Sequence, residues 1–143
     1  SGGAVAGQVC LKDARVKAGV NLDGFMTGDI IQAPLSRPFL FLRSETPTLP
    51  AYFDDRLLEG SAGVAYLVKI RGARHVNFGD LPLWGFFVSS RLSSIQGARY
   101  VHVVNTCVRA FLDKHLKGID SPLFAGPAAD YPELEIRSGR RSG

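Results

Sequence analysis

The stretch that decides the fold runs from residue 37 to residue 45 and reads RPFLFLRSE. Its centre, Phe39-Leu40-Phe41-Leu42, is a continuous apolar run without the alternation of a half-exposed strand. Pro34 and Pro38 bracket a turn just before it. Such a run is typical of a strand that is covered on both faces, as in a parallel sheet with helices on either side.

Two further strands and three helices are predicted around this strand. The other strands are β-rich runs at residues 16–22 and 64–70, and the first of them ends at Asp23-Gly24. Helical spacing of apolar residues occurs at residues 2–11, 52–60 and 98–116. Strands that alternate with helices pair in parallel through right-handed crossovers. The sequence therefore predicts an α/β fold with three parallel strands and helices on both faces of the sheet.

The composition is that of one globular domain, with 143 residues of which 45% are hydrophobic and 21% are charged. No run of 18 apolar residues occurs, so no stable insertion into a membrane is expected. Of the 17 basic residues, Arg137, Arg140 and Arg141 lie close to the C-terminus. Residues 137–143 are expected to form a flexible basic tail, and the net charge of +4 therefore does not predict a nucleic-acid partner.

The two cysteines, Cys10 and Cys107, lie in apolar helical patterns and lack the spacing of zinc ligands. We expect them to be small buried hydrophobic side chains rather than partners in a disulfide. The sequence predicts no metal site, and the chemistry inferred below requires no cofactor.

Two residues at predicted strand ends are the candidates for acid–base chemistry. His75 lies in a loop just after the third strand, and Asp23 directly follows the first. Open α/β sheets bind ligands at the carboxyl ends of their strands, where both residues are expected. A histidine that acts as a general base needs a carboxylate to fix its tautomer. Alternatively, His75 is a surface histidine without a task and Asp23-Gly24 is an ordinary turn.

The start of the chain, Ser1-Gly2-Gly3-Ala4, enters a helix of small residues. It is similar to the end of the nucleophile elbow Gly-x-Ser-x-Gly, in which a sharp strand-to-helix turn exposes a serine. The order serine, acid, histidine along the chain is also that of α/β-hydrolases. Ser-Gly-Gly is also common in linkers and tags, so the tetrapeptide alone indicates little.

Four segments resemble consecutive blocks of the platelet-activating-factor acetylhydrolase family, the plasma type and its bacterial relatives. The similarity runs from the first residues to about Asp80 and is weaker in the last helix. Its most specific part is the pattern Gly-x-x-His-x-Asn-Phe-x-Asp at residues 72–80. The blocks read GGAVA at residues 2–6, AGVNLDGFM at 18–26, RPFLFLRSE at 37–45 and IRGARHVNFGD at 70–80.

The resemblance implies that residues 1–136 are the C-terminal portion of an α/β-hydrolase domain, with a catalytic triad. It implies Asp23 as the catalytic acid and His75 as the catalytic base. Backbone N–H groups of Ser1 and Gly2 are implied to form the oxyanion hole. In many other α/β-hydrolases the acid follows the next strand, where this sequence has Glu45 and Asp54-Asp55.

The position of the nucleophile has three interpretations. An ungapped match to the family puts Ser1 one place after the catalytic serine, so that the nucleophile precedes Ser1. If one position is deleted, Ser1 is itself the nucleophile. In the third interpretation, Ser1 is a cloning remnant.

The predicted function is that of a serine carboxylic-ester hydrolase, esterase-like or lipase-like, acting on a small-molecule ester or lipid. Trp84 and Phe86, in the apolar segment 81–88, are candidates for the substrate pocket or for ordinary core packing. The alternative is a truncated, non-catalytic hydrolase half that serves as a binding or assembly module. Because a three-stranded sheet leaves two open edges, a companion chain or a second copy is a candidate partner. The sequence is compatible with a secreted or a cytoplasmic protein.

Overall fold

The computed structural model describes residues 2–46, 51–79, 95–126 and 128–139. They form one four-stranded sheet in the order β1 to β4, with three helices around it. The strands are β1 (Gly19–Leu22), β2 (Phe39–Ser44), β3 (Ala65–Ile70) and β4 (Leu134–Gly139). The helices are α1 (Gly2–Lys12), α2 (Ala51–Gly60) and α3 (Gly97–Lys117). The predicted α/β fold class is confirmed.

The apolar run that predicted a doubly covered strand is at the centre of the fold. All four residues of 39–42 are fully buried. β2 pairs in parallel with β1 on one side and with β3 on the other. Parallel pairing brings the carboxyl ends of the three strands to one edge of the sheet, which is the edge that the candidate residues share.

Helices cover both faces of this sheet. On one face, β2 and β3 side chains pack against α3 through a buried row at Tyr100, Val103, Cys107 and Phe111. On the other face, Cys10 of α1 and Leu57 and Leu58 of α2 pack against Phe39 and Phe41. Within the described ranges, no helix is long and apolar enough to cross a membrane.

The buried face of α3 agrees in part with the apolar spacing of the sequence. The apolar spacing that predicts this helix runs through Val101, Val104, Val108, Phe111, Leu112 and Leu116. Phe111 is buried in the core, Leu116 is 52% exposed, and the others are partly buried against the core. The buried face also includes Tyr100, Val103 and Cys107. Gly118 adopts a left-handed φ of 70° and caps the end of the helix.

The structure corrects the first part of the predicted flexible tail, and residues 140–143 lie outside the described residues. Residues 137–139, the first three of the predicted tail 137–143, belong to β4, which pairs antiparallel with β3. Arg137 lies opposite Leu67, and its guanidinium donates to Asp55 Oδ1 at 2.6 Å. The sheet thus has a fourth, antiparallel strand that the alternation of strands and helices did not predict.

Candidate active site

Asp23 occupies a strained turn at the carboxyl end of β1. Its φ of 52° lies in the left-handed region, which aspartate tolerates better than most residues. The backbone N–H of Asp23 donates to the Leu42 carbonyl at 2.8 Å. The backbone N–H of Ser44 donates to Asp23 Oδ1 at 3.0 Å. The end of β2 therefore fixes both the backbone and one carboxylate oxygen of Asp23.

His75 begins a short 3₁₀ turn, His75–Phe78, that follows β3. The turn is fixed by Asn77, whose Oδ1 accepts the backbone N–H of Arg74 at 2.7 Å. The backbone N–H of Asn77 donates to the Arg74 carbonyl at 2.9 Å. This reciprocal bonding resembles a capping box and sets the direction in which His75 leaves the sheet.

The imidazole of His75 contacts the second oxygen of the Asp23 carboxylate, with 2.9 Å between Nδ1 and Oδ2. The contact joins residues that are 52 positions apart and spans the end of β2, which lies between β1 and β3. A carboxylate that accepts a hydrogen bond from Nδ1 selects one imidazole tautomer and leaves Nε2 able to accept a proton. This arrangement of His75 and Asp23 is suited to general-base catalysis.

The two partners differ in their access to solvent. The Asp23 side chain is 1% exposed, whereas the His75 side chain is 62% exposed. A buried carboxylate is costly unless its oxygens are hydrogen-bonded, and here Ser44 and His75 provide a partner for each oxygen. The carboxylate therefore acts as a fixed support, and the imidazole is the accessible member of the pair.

The accessible side of His75 opens into a groove of about 610 Å³. Three parts of the chain line it: the start of α1, the end of β1 with its turn, and the segment after β3. The lining residues are Gly2, Gly3, Val20, Leu22, Gly24, His75, Val76, Phe78 and Gly79. The only ionisable side chain among these lining residues is His75, so the groove suits an uncharged, partly apolar group.

Three of the predicted site residues lie in or next to this groove. Asp23 and His75 are in contact, and the groove beside His75 also includes Gly2. Ser1, Trp84 and Phe86 lie outside the described residues.

The alternative acids have other contacts in the described structure. Glu45 Oε2 accepts the backbone N–H of Gly72 at 3.1 Å. Asp55 pairs with Arg137, and the side chain of Asp54 lies outside the described part. Of the candidate carboxylates that the structure describes, Asp23 is the one that contacts His75.

The sequence prediction missed several residues that support this site. Tyr100 of α3 is 2% exposed and packs edge-on against Phe78, with 5.4 Å between the ring centroids. Burial, and to a lesser degree the negative charge of Asp23, raise the pKa of the Tyr100 phenol.

Ser44 contributes to the site through its backbone N–H, which no side-chain pattern could reveal. Asn77 was part of the histidine block, and its place three residues after Arg74 is the signal that could have identified it.

In the parts of the chain that the structure describes, no three His, Cys, Asp or Glu side chains are grouped as metal ligands would be. Cys10 and Cys107 are both buried and free, as predicted.

No protein-family model and no curated protein matches this chain. Among solved structures, the chain is similar to a ferulic acid esterase from Streptomyces cinnamoneus, with a TM-score of 0.82 and 29% sequence identity. The match covers 94% of this chain and 44% of that one, so the chain spans less than half the length of that esterase. The platelet-activating-factor acetylhydrolase family is not confirmed by this likeness. The chain has an esterase-like, partial α/β fold.

Proposed function

We propose that this chain supplies the acid and the histidine of a serine carboxylic-ester hydrolase. The observation that carries the proposal is the 2.9 Å contact between Asp23 Oδ2 and His75 Nδ1 at the carboxyl edge of a parallel sheet. The likeness to a ferulic acid esterase supports an ester as the substrate class. The order of serine, acid and histidine in the sequence agrees with this assignment.

In the proposed reaction, the nucleophile is a serine at position 1 or just before it. His75 Nε2 takes the proton of the serine Oγ while that oxygen bonds to the ester carbonyl carbon. The protonated imidazole then donates to the leaving alcohol, and an acyl-enzyme remains. Water, deprotonated by the same nitrogen, releases the carboxylic acid and restores the serine. Asp23 holds the tautomer throughout and stabilises the imidazolium.

The start of α1 is the proposed oxyanion site. Gly2 and Gly3 begin this helix and line the groove beside His75. The first N–H groups of a helix have no partner within the helix, and the helix dipole is positive at this end. Backbone N–H groups of Ser1 and Gly2 are therefore the proposed donors to the oxyanion.

For the substrate, we propose a small-molecule ester whose acyl or alcohol group is apolar. Val20, Leu22 and Phe78 give the groove apolar walls. Two finer assignments are compared by experiment: a short acyl ester, as the resemblance to platelet-activating-factor acetylhydrolases implies, and a ferulate-type aromatic ester. The ratio of kcat/KM for p-nitrophenyl acetate and methyl ferulate distinguishes them.

The decisive experiment removes the imidazole in the full protein that carries this chain. His75→Ala should lower the kcat for p-nitrophenyl acetate by about 10⁴-fold or more. The matched control is His102→Ala, because His102 lies on an exposed face of α3 and contacts Tyr131 rather than the groove. A loss below tenfold for folded His75→Ala would contradict the proposal.

A fluorophosphonate probe tests the serine independently. Covalent capture by the wild-type protein, at Ser1 or at the residue before it, is expected, with much slower capture by His75→Ala. A folded wild-type protein that the probe does not label would instead indicate the non-catalytic binding or assembly module.

A further inference from the structure

The carbonyl oxygen of Gly24, directly after Asp23, accepts hydrogen bonds from two buried side chains. Asn21 Nδ2 donates to it at 2.9 Å, and Arg43 Nη1 donates to it at 3.0 Å. Asn21 Oδ1 also accepts the Gly24 backbone N–H at 2.7 Å. Hydrogen bonds thus fix both the N–H and the carbonyl of Gly24. The donors to the carbonyl come from two strands, Asn21 from β1 and Arg43 from β2.

Both donors are almost completely removed from water. Asn21 is 1% exposed and Arg43 is 4% exposed. A buried guanidinium carries a desolvation cost, which hydrogen bonds to protein oxygens offset. The guanidinium of Arg43 also lies 6.0 Å from the ring centroid of Phe41, at the outer limit of a cation–π contact. A side chain this costly to bury at the end of β2 is expected to have a specific task.

The turn that Asn21 and Arg43 stabilise also sets the direction of the Asp23 carboxylate. Asp23 has a φ of 52°. Such a conformation persists only where several contacts with the surrounding structure stabilise it. If Asp23 relaxed to a negative φ, the direction of its side chain would change. The contact of Asp23 with His75 would then be lost even though both side chains were still present.

Asn21 also connects this turn to the start of α1. A Cβ atom on Gly3 would overlap the side-chain amide of Asn21, and one on Gly24 would lie 3.0 Å from the Gly3 nitrogen. Asn21 is therefore in contact with the acid turn on one side and with the first turn of α1 on the other. Its position sets the distance between the acid turn and the part of α1 that lines the groove.

We propose that Asn21 and Arg43 form a positioning clamp on Gly24 that holds the Asp23 carboxylate in line with His75. The proposal rests on the function proposed above and assigns neither residue a contact with substrate. The clamp acts through the backbone. It fixes the peptide groups of Gly24, and these keep the φ of Asp23 in the left-handed region. Asp23 in turn orients the imidazole of His75. Asn21 and Arg43 are positioning residues for the reaction.

The kinetic test uses Asn21→Ala and Arg43→Met in the full protein that carries this chain. The expected result is a roughly 10- to 100-fold fall in kcat with KM within about twofold of wild type, since small displacements of a catalytic group have effects of this size. Arg43→Lys, which keeps a charge and a donor, should recover part of the loss. The controls are Asn105→Ala and Arg109→Met, at exposed positions of α3.

The second readout is independent of activity. Two-bond ¹⁵N–¹H correlation of the neutral His75 imidazole should show the Nδ1–H tautomer in the wild type. The Nε2–H tautomer should gain population in Asn21→Ala and Arg43→Met. Asp23→Asn provides the reference, because loss of the carboxylate removes the preference for Nδ1–H.

The outcomes separate this proposal from the function on which it rests. If Asp23→Asn changes the tautomer while folded Asn21→Ala and Arg43→Met keep both tautomer and kcat, the clamp is overturned and the function stands. If Asp23→Asn changes neither tautomer nor kcat, the function itself fails. Loss of folding in both Asn21→Ala and Arg43→Met would also overturn the clamp, because the two residues would then serve the whole fold.

Discussion

Gly3 lies against Asn21 so closely that a Cβ atom on Gly3 would overlap the side-chain amide of Asn21. For Gly2, the residue before it, no described atom outside its chain neighbours and the nearby helix backbone lies within 4 Å of the position that a Cβ would occupy. Two neighbouring glycines in the first turn of α1 thus have opposite tolerance for a side chain.

Gly3→Ala is therefore expected to destabilise the protein, because the added methyl group must displace Asn21 or the turn at Gly24. The free energy of unfolding should fall by about 1–3 kcal/mol, the usual cost of overpacking. Gly2→Ala should leave stability unchanged or slightly raised, since alanine favours a helix more than glycine does. Urea denaturation of both variants checks this, and equal effects would show that the close approach of Gly3 to Asn21 does not constrain stability.

Tyr100→Phe is expected to leave the free energy of unfolding unchanged or to raise it by up to about 1 kcal/mol. Its hydroxyl is buried and has no hydrogen-bond partner among the described residues, so removing the hydroxyl breaks no hydrogen bond that the structure describes. The ring keeps its edge-on contact with Phe78. A loss of more than about 1 kcal/mol in urea denaturation would reveal a partner for this hydroxyl.

The two thiols are expected to be unreactive in the native protein. Burial raises the pKa of Cys107 to about 12, with a smaller contribution from the charge of Glu133. Burial also raises the pKa of Cys10, against a smaller opposing effect of Arg37. Because the thiolate is the reacting form, Ellman's reagent at pH 8 should modify neither thiol until denaturant is added. Rapid modification of a single thiol under native conditions would indicate local opening around that helix.

The Arg99–Glu133 ion pair predicts a pH-dependent contribution to stability. Arg99 Nε donates to Glu133 Oε1 at 2.6 Å, and this hydrogen bond is the main reason that the pKa of Glu133 lies below its ordinary value. Because the pKa is lowered in the folded state, the stabilisation is present above the unfolded-state pKa. It is lost as the pH falls through the folded-state pKa.

Glu133→Gln should therefore lower Tm by a few degrees at most at neutral pH, as expected for a partly exposed ion pair. The difference from wild type should shrink as the solution is acidified through the folded-state pKa. Calorimetry across this pH range is the measurement, with Glu135→Gln as the reference at a longer, more exposed ion pair of 3.6 Å to Arg71. A difference that stays constant on acidification would contradict the assignment.

The sequence was sufficient for the parts of the molecule that follow from local patterns. The apolar run 39–42 predicted a buried strand, and strand-end positions predicted that Asp23 and His75 would share one edge. That shared edge is a consequence of parallel pairing, which the alternation of strands and helices already implied. The same reasoning allowed the two side chains to approach each other, and the structure shows that they are in contact.

Other features depend on contacts between distant parts of the chain. The strand β4 reads Leu-Glu-Ile-Arg-Ser-Gly, a short alternating pattern beside a basic terminus, and its antiparallel pairing with β3 has no local signal. The burial of Arg43 was equally hidden, because an arginine at a strand end is usually solvated. The Gly24 carbonyl that receives its guanidinium is 19 positions away in the sequence and comes close only through the fold.

β4 is the outermost strand next to β3 in the described sheet, and it also bears on how the protein behaves in concentrated solution. An unprotected strand edge is a template for pairing with other chains, and charged side chains on an edge strand oppose this. β4 covers the open side of β3 and carries Glu135 and Arg137, which are paired with Arg71 and Asp55. Another copy that added a strand at this edge would have to disrupt or desolvate these ion pairs. The basic residue that looked like part of a loose terminus is thus placed to resist aggregation at this edge.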